Sequence, residues 1–351
     1  MKILKYLFFL LLIFIIGASI YIATKDGEFQ VEQQQVLAAP QEVVFNQVND
    51  YTTWNDWEPW SRETDDMIIN YGDKTKGEGA SYSWKSENMG EGEITTIKAN
   101  PYTSIDQKIT FATPFGDSTS DIYWEFEKKG DSTLVTWGMK GEQSFMEKAA
   151  FTFQDESLSE MMLPMFKQGL ENLQAKITEE MGAYSINIDG ITQHGGGYYM
   201  YMTTASKISQ VSERMANMIS EVDSYMNNNN IEKVGNPFVL YNLWNEDQGT
   251  AIYSAAYFTP SEVVTPAESS ILNGYMPNQR TLKTTLKGDY KNLKEAWDSA
   301  YAYLQKNGLR EDENSQPFEV YVNDQEDNPN PAEWITQIYI PITQENSRLN
   351  D

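Results

Sequence analysis

The chain opens on an unbroken apolar run over residues 6–22, with Lys2 and Lys5 before it and Lys25, Asp26 and Glu28 after it. A membrane-spanning helix needs about 20 apolar residues, so the run predicts an anchor within residues 1–27. Basic residues stay on the cytosolic side, which predicts an extracytoplasmic location for the rest of the chain (the periplasm, in a double-membrane bacterium). A cleaved signal peptide is the rival reading, but no clean A-x-A site follows the run. The pattern then becomes short alternating segments. Residues 28–38, 67–71, 80–85, 91–98, 104–112, 121–127 and 133–140 read as strands, parted by Gly, Asp and Asn turns. Pro40 opens a short helix with Val43, Val44, Phe45 and Val48 on its inner face. Helical spacing returns in Leu158, Met161, Met162, Met165, Phe166, Gly169, Leu170, Leu173 and Ile177. Ser157 and Glu160 are spaced as a capping box, and Pro164 predicts a kink or a late helix start.

Beyond residue 182 the pattern repeats. Asn236-Pro237-Phe238-Val239-Leu240-Tyr241 recurs as Gln316-Pro317-Phe318-Glu319-Val320-Tyr321. Upstream of each copy lies an amphipathic helix: Ile208, Val211, Met215, Met218, Val222 and Met226 in one, Leu293, Ala296, Trp297, Ala300, Tyr301 and Leu304 in the other. Asn307-Gly308 caps the second. Strands over 198–203 and 279–286 precede the helices. A repeat of about 80 residues is too long for a solenoid unit. It predicts a pseudo-twofold domain of two strand-helix-strand-strand halves. The expected class is α+β, with domains at 28–181 and 182–345 and a tail at 346–351.

Composition narrows the partners. The net charge is −25, which repels phosphates and argues against nucleic acid. No cysteine is present, so disulfides, thiolate zinc sites and thiol nucleophiles are excluded. His194 is the sole histidine; it sits in His194-Gly195-Gly196-Gly197 and reads as a turn. No phosphate loop, dinucleotide fingerprint or EF-hand spacing occurs. Neither a metal nor a cofactor is expected.

The stretch Val44-Phe45, Asn49-Asp50-Tyr51, Trp54, Trp57, Pro59 and Trp60, together with the closing run from Met165 to Leu173, resembles the START-like (SRPBCC, polyketide cyclase-type) superfamily. The resemblance implies a helix-grip fold, a curved antiparallel sheet around a long C-terminal helix, with an apolar cavity for a hydrophobic ligand. Trp54, Trp57, Trp60, Met162 and Met165 would line that cavity; simple core packing is the competing reading of each.

Gly288-Asp289-Tyr290, Leu293, Ala296-Trp297, Gly308, Pro317-Phe318-Glu319-Val320-Tyr321 and Ile338-Tyr339-Ile340-Pro341-Ile342 resemble the GyrI-like family, the effector-binding fold of AraC-type regulators. The resemblance implies a ligand cleft between the halves, walled by aromatics around an acid. No helix-turn-helix precedes the domain, which puts transcriptional control in doubt. Strand alternation sets Phe318, Val320 and Val322 on one face, expected against the helices, and Glu319 with Tyr321 on the other, expected to face the cleft. Val239 takes the place of Glu319 in the first half. Tyr257, Trp297, Tyr301, Tyr321 and Trp334 are candidate aromatic walls. Glu319 has three open readings: a carboxylate that holds a cation, a general base with a raised pKa, or a solvent-facing strand residue. The expectation is a membrane-tethered binder of small molecules, one hydrophobic and one polar or cationic. A hydrolase using Glu319 and a non-catalytic envelope scaffold are the rivals.

Overall fold

In the computed structural model, which describes residues 2–62, 64–113, 116–152, 154 and 156–343, the apolar run folds as helix α1 (Lys2–Ala23). Its segment Ile3–Ala23 is long and apolar enough to cross a bilayer, a property that secretory signal sequences share. The expected tail at 346–351 lies outside the described residues. The chain divides into two compact units, one ending at Glu180 and one starting at Met181.

Among its described residues the first unit carries seven strands: β1 (Glu28–Leu37), β2 (Ile68–Tyr71), β3 (Ser81–Ser86), β4 (Gly90–Asn100), β5 (Ser104–Thr113), β6 (Gly116–Lys129) and β7 (Ser132–Glu142). Its helices are α2 (Gln41–Asn49), α3 (Pro59–Arg62), α4 (Phe145–Phe151) and α5 (Leu158–Gly182). The sheet order is β1-β7-β6-β5-β4-β3-β2, antiparallel throughout. The meander β2 to β7 follows the expected segments, and β1 returns to pair along the whole of β7. Helix α5 lies on the sheet through Phe166, Gly169, Leu170, Leu173 and Ile177, all buried. The Ser157–Glu160 capping box is formed. Pro164 does not delay the helix; it sits inside α5, where it removes one backbone donor without ending the run.

The second unit carries β8 (Ser185–His194), β9 (Gly197–Lys207), α6 (Val211–Asn228), β10 (Val234–Asn245) and β11 (Thr250–Thr259), then β12 (Leu272–Met276), β13 (Gln279–Lys287), α7 (Leu293–Lys306), β14 (Phe318–Tyr321) and β15 (Ile335–Pro341). The two strand-helix-strand-strand repeats are present, each led by one further strand, β8 or β12. The sheet order is β12-β9-β11-β10-β14-β15-β13-β8. Each leading strand is therefore exchanged: β8 joins the second half beside β13, and β12 joins the first half beside β9.

This order dictates curvature. Strands β8 and β9 stand six places apart, which in a flat sheet is ~29 Å at ~4.8 Å per strand. Only Gly195 and Gly196 join them, a reach of at most ~11 Å. The sheet must curl until its edges approach at that end. The matching connection from β12 to β13 is equally short, Pro277 and Asn278. The two crossings touch: a Cβ on Gly196 (φ +67°) would lie 2.1 Å from the Met276 carbonyl oxygen, so glycine is required there. His194 ends β8 and is no free turn residue. Its ring lies 4.8 Å from Phe318, 5.1 Å from Tyr339 and 5.7 Å from Phe258, inside the curl.

Candidate functional site

Helices α6 and α7 both lie on one face of the second sheet. Val211, Met215 and Met218 of α6 cluster with Val239, Ala251, Tyr253, Ala255 and Tyr321. Ala296, Ala300 and Leu304 of α7 cluster with Leu282, Leu286, Ile338 and Ile340. The central strands β10 and β14 run between these two contacts. The alternate residues of these strands, Phe238, Leu240 and Phe318, form a separate cluster with Tyr339 and Val320 on the opposite face. The face assignment expected for β14 is thus reversed: Glu319 and Tyr321 point to the helix side, and Phe318 and Val320 point into the curl. Alternation fixes which residues share a face, but not which face the helices cover.

Glu319 is 1% exposed, and three side chains donate to it. Trp297 Nε1, from α7, reaches Oε1 at 2.6 Å. The Tyr241 hydroxyl reaches Oε2 at 2.8 Å, and the Tyr321 hydroxyl makes a short bond to the same oxygen. Tyr241 and Tyr321 are equivalent residues of the internal repeat, so the pseudo-twofold brings both phenols to one carboxylate. The repeat alone could have found Tyr241, which was not among the expected wall residues. Burial raises the Glu319 carboxyl above its ordinary range, and the three hydrogen bonds oppose that rise. Burial, reinforced by the charge of Glu319, holds the Tyr241 and Tyr321 phenols well above theirs, so both remain donors. Among the described residues, no Lys or Arg forms an ion pair with Glu319.

Aromatic rings extend from this acid in two directions. Trp297 meets Tyr241 edge-on at 5.7 Å and Tyr301 at 6.0 Å. Tyr301 is well exposed and hydrogen-bonds to Glu311, a half-buried carboxyl raised by burial. On the other side Tyr321 meets Tyr290 at 5.5 Å, and Tyr290 meets Trp334 at 4.8 Å. Trp297, Tyr301, Tyr321 and Trp334 thus belong to one constellation with Glu319. Tyr257 does not: it packs at the far end of α6 with Met200 and Met226, under the Lys233 ammonium. A concavity of about 370 Å³ opens on the curl side, away from Glu319, and is lined by His194, Gly196, Asn236, Phe258 and Tyr339. Burial lowers the His194 pKa, and its Nδ1 accepts from the Gly196 amide at 3.3 Å.

In the first unit the expected cavity residues divide. Trp54 and Trp57 are buried and meet Trp124 and Trp137 edge-on. Trp124, Trp137 and Phe166 lie face to face at 4.4 and 4.2 Å, filling the space between β6, β7 and α5. Trp60, Met162 and Met165 are only half-buried, at the beginning of α5 and beside it. The Trp54 indole donates to the Val48 carbonyl and that of Trp124 to Gln107, whereas those of Trp57 and Trp137 find no partner among the described residues. One acid in the Trp-rich stretch was not anticipated: Glu58 is 2% exposed, and after burial itself its charge helps raise the Tyr82 phenol.

Residues 28–178 match the family described as polyketide cyclase / dehydrase and lipid transport, and residues 194–343 match the GyrI-like small molecule binding domain. No curated protein matches the chain. Among solved structures, the C-terminal domain of EcmrR is 16% identical over 46% of this chain and 98% of its own, with a TM-score of 0.38. EcmrR in its complex with DNA is 13% identical over 57% and 78%, TM-score 0.40. Protein CV1439 of Chromobacterium violaceum is 14% identical over 42% and 95%, TM-score 0.32. Both families are small-molecule-binding families, and the chain is a polyketide cyclase-type, START-like domain followed by a GyrI-like domain, behind an apolar N-terminal helix.

Proposed function

We propose that the protein is a membrane-tethered binder of small molecules, whose GyrI-like domain holds a cationic or polar ligand on Glu319. The observation that carries this reading is the carboxylate itself. It is buried, oriented by three donors, without a basic partner among the described residues, and ringed by Tyr241, Trp297 and Tyr321. A buried charge without a counterion is costly, and an organic cation would supply that counterion while aromatic faces add cation–π attraction. Helix α1 serves as the tether in this reading, with domains over 28–181 and 182–345 on the extracytoplasmic side. The START-like domain would take a hydrophobic ligand at the half-buried end of α5, near Trp60, Met162 and Met165, because the middle of its interior is filled by the Trp124–Trp137–Phe166 stack.

The test is binding of benzyltrimethylammonium to the full-length protein in amphipol, followed by quenching of tryptophan fluorescence. Saturable binding that Glu319→Gln weakens by about 10–100-fold, equivalent to ~1.4–3 kcal/mol, supports the reading. Equal affinity in the variant would remove Glu319 from ligand binding. A raised carboxyl also suits a general base. Hydrolysis of small esters or epoxides that disappears in the same variant would favour the enzymatic alternative.

A further inference from the structure

Between β7 and Phe166 the described residues include many large apolar side chains, and the fold covers none of these fully. No residue of α4 is buried, and the first buried residue of α5 is Phe166. Phe145 is 43% exposed, Met146 39%, Met161 44% and Leu163 41%. Met161 and Leu163 project from different sides of the same turn, so the start of α5 is apolar around much of its circumference. Such a helix requires an apolar partner.

The position of this segment says what that partner is. The Gln143 amide donates to the Gly27 carbonyl at 2.8 Å, Lys148 Nζ to the Lys25 carbonyl at 3.2 Å, and Ser159 Oγ to the Gln30 carbonyl at 3.2 Å. The start of α4 is therefore fastened to the root of α1, and the start of α5 to the beginning of β1 just beyond it. The 21 residues Ile3–Ala23 span ~32 Å at 1.5 Å each, about the thickness of a hydrocarbon core. Lys25 Nζ lies 4.8 Å from the Tyr21 ring, the aromatic and basic pairing of a membrane interface. Only the few residues from Thr24 to Gly27 separate the end of α1 from the contact with α4. Amphipathic helices settle ~5–10 Å into that interfacial layer, which α4 reaches without extending the chain. The two acids within α4 and the first turn of α5 do not oppose this placement. Glu147 is turned back onto the Ser144 amide and the Ser118 hydroxyl, and Glu160 onto Ser157, each closing its own helix cap.

We propose that α4 and the first turns of α5 lie in the headgroup layer of the leaflet from which α1 emerges, so that the START-like domain rests on the bilayer by an apolar lip. The inference rests on the reading of α1 as a membrane-spanning tether. Its occupant is the bilayer, neither a second copy nor another protein. It also gives the hydrophobic ligand a source: Met162 and Met165 adjoin the lip, so a lipid-soluble molecule would enter from the membrane without crossing water.

The chain has no cysteine, so single-cysteine variants carry one spin label each without background. The full-length protein is placed in phosphatidylcholine/phosphatidylglycerol nanodiscs, labelled at Phe145→Cys, Met161→Cys or Leu163→Cys. Ile13→Cys reports on α1, and Lys128→Cys, near the hairpin at the far end of β6, reports on water. Collision rates with oxygen and with a nickel chelate are measured at each site. The expected result is an oxygen-to-nickel ratio at 145, 161 and 163 severalfold above that at 128, approaching that at 13. Water-like ratios at the three sites with a lipid-like ratio at 13 overturn the lip and leave the tether standing. A water-like ratio at 13 overturns both. Low access to both reagents at the three sites would mean that protein covers the segment, which also overturns the proposal.

Discussion

Val239 and Glu319 stand directly opposite each other where β10 pairs with β14, at the point about which the two halves of the GyrI-like domain repeat. Phe238 pairs with Val320 and Leu240 with Phe318, so the repeat and the register share one centre. A residue at such a centre is seen by both halves equally. The symmetry supplies two tyrosines, and its break at this pair supplies one charge for them to serve. A carboxylate in both positions would set like charges face to face in a buried site.

Removing one phenol leaves the carboxylate short of a donor. Tyr241→Phe should cost the second domain about 1–3 kcal/mol above the raised pKa of Glu319, where the carboxylate is charged. Because hydrogen bonds to the ionised form favour it, the cost should shrink as pH falls and the carboxyl takes up its proton. Urea unfolding across a pH series measures this; an equal loss at every pH would show that the hydroxyl does not serve the charge.

The raised pKa of Glu319 has a definite sign in stability. The folded domain keeps this proton at pH values where the unfolded chain, with an ordinary glutamate pKa near ~4.3, has lost it. The contribution is fully present below the unfolded pKa and is lost as pH rises through the folded one. The stability of the protein relative to Glu319→Gln should therefore fall with rising pH across that window. Affinity for a cation should rise over the same window, with a proton released on binding. A difference between the two proteins that does not vary with pH would contradict this account.

Gly169 lets α5 lie directly against Trp137 of the first sheet. A Cβ there would lie 2.6 Å from Trp137 Cζ3 and 3.3 Å from Pro59 Cδ, with Trp137 itself clamped between Trp124 and Phe166. Gly169→Ala should destabilise the START-like domain by about 1–3 kcal/mol despite the better helix propensity of alanine. Gly182→Ala, at the open end of the same helix, should be neutral or slightly stabilising. Tryptophan fluorescence during denaturation distinguishes the two; a neutral Gly169→Ala would mean that the stack gives way easily.

At the crossing of the two short connections, Gly196→Ala meets backbone on one side and an unfavourable φ on the other. It should destabilise the GyrI-like domain severely, whereas Gly195→Ala, with open space around it, should be tolerated. Comparing thermal unfolding of the two variants checks the contact; equal midpoints would refute it.

Local pattern carried most of the architecture. The seven strands of the first sheet, the long closing helix and the two amphipathic helices all follow from period and turn chemistry, because each reports its own burial. What escaped was non-local. The alternation of Ile186 and Ile188 in β8 is ordinary, but its partner β13 lies some 90 residues further on. For Glu319, alternation grouped it with Tyr321 correctly, yet the side carrying α6 and α7 depends on how the sheet curls. The exclusion of Tyr257 from the site likewise follows from its distance along α6, which spacing in the chain does not encode. The short helix α4 has no buried face, so it leaves no inward stripe to read.

The exchange of β8 and β12 makes the GyrI-like domain one cooperative object in spite of its duplicated pattern. Neither half owns a complete sheet: each finishes its outer edge with a strand that the other half delivers. A single half made alone would bare that edge, and could close it only by borrowing the leading strand of another molecule. The domain has the architecture of a strand-swapped dimer whose two subunits have been joined into one chain.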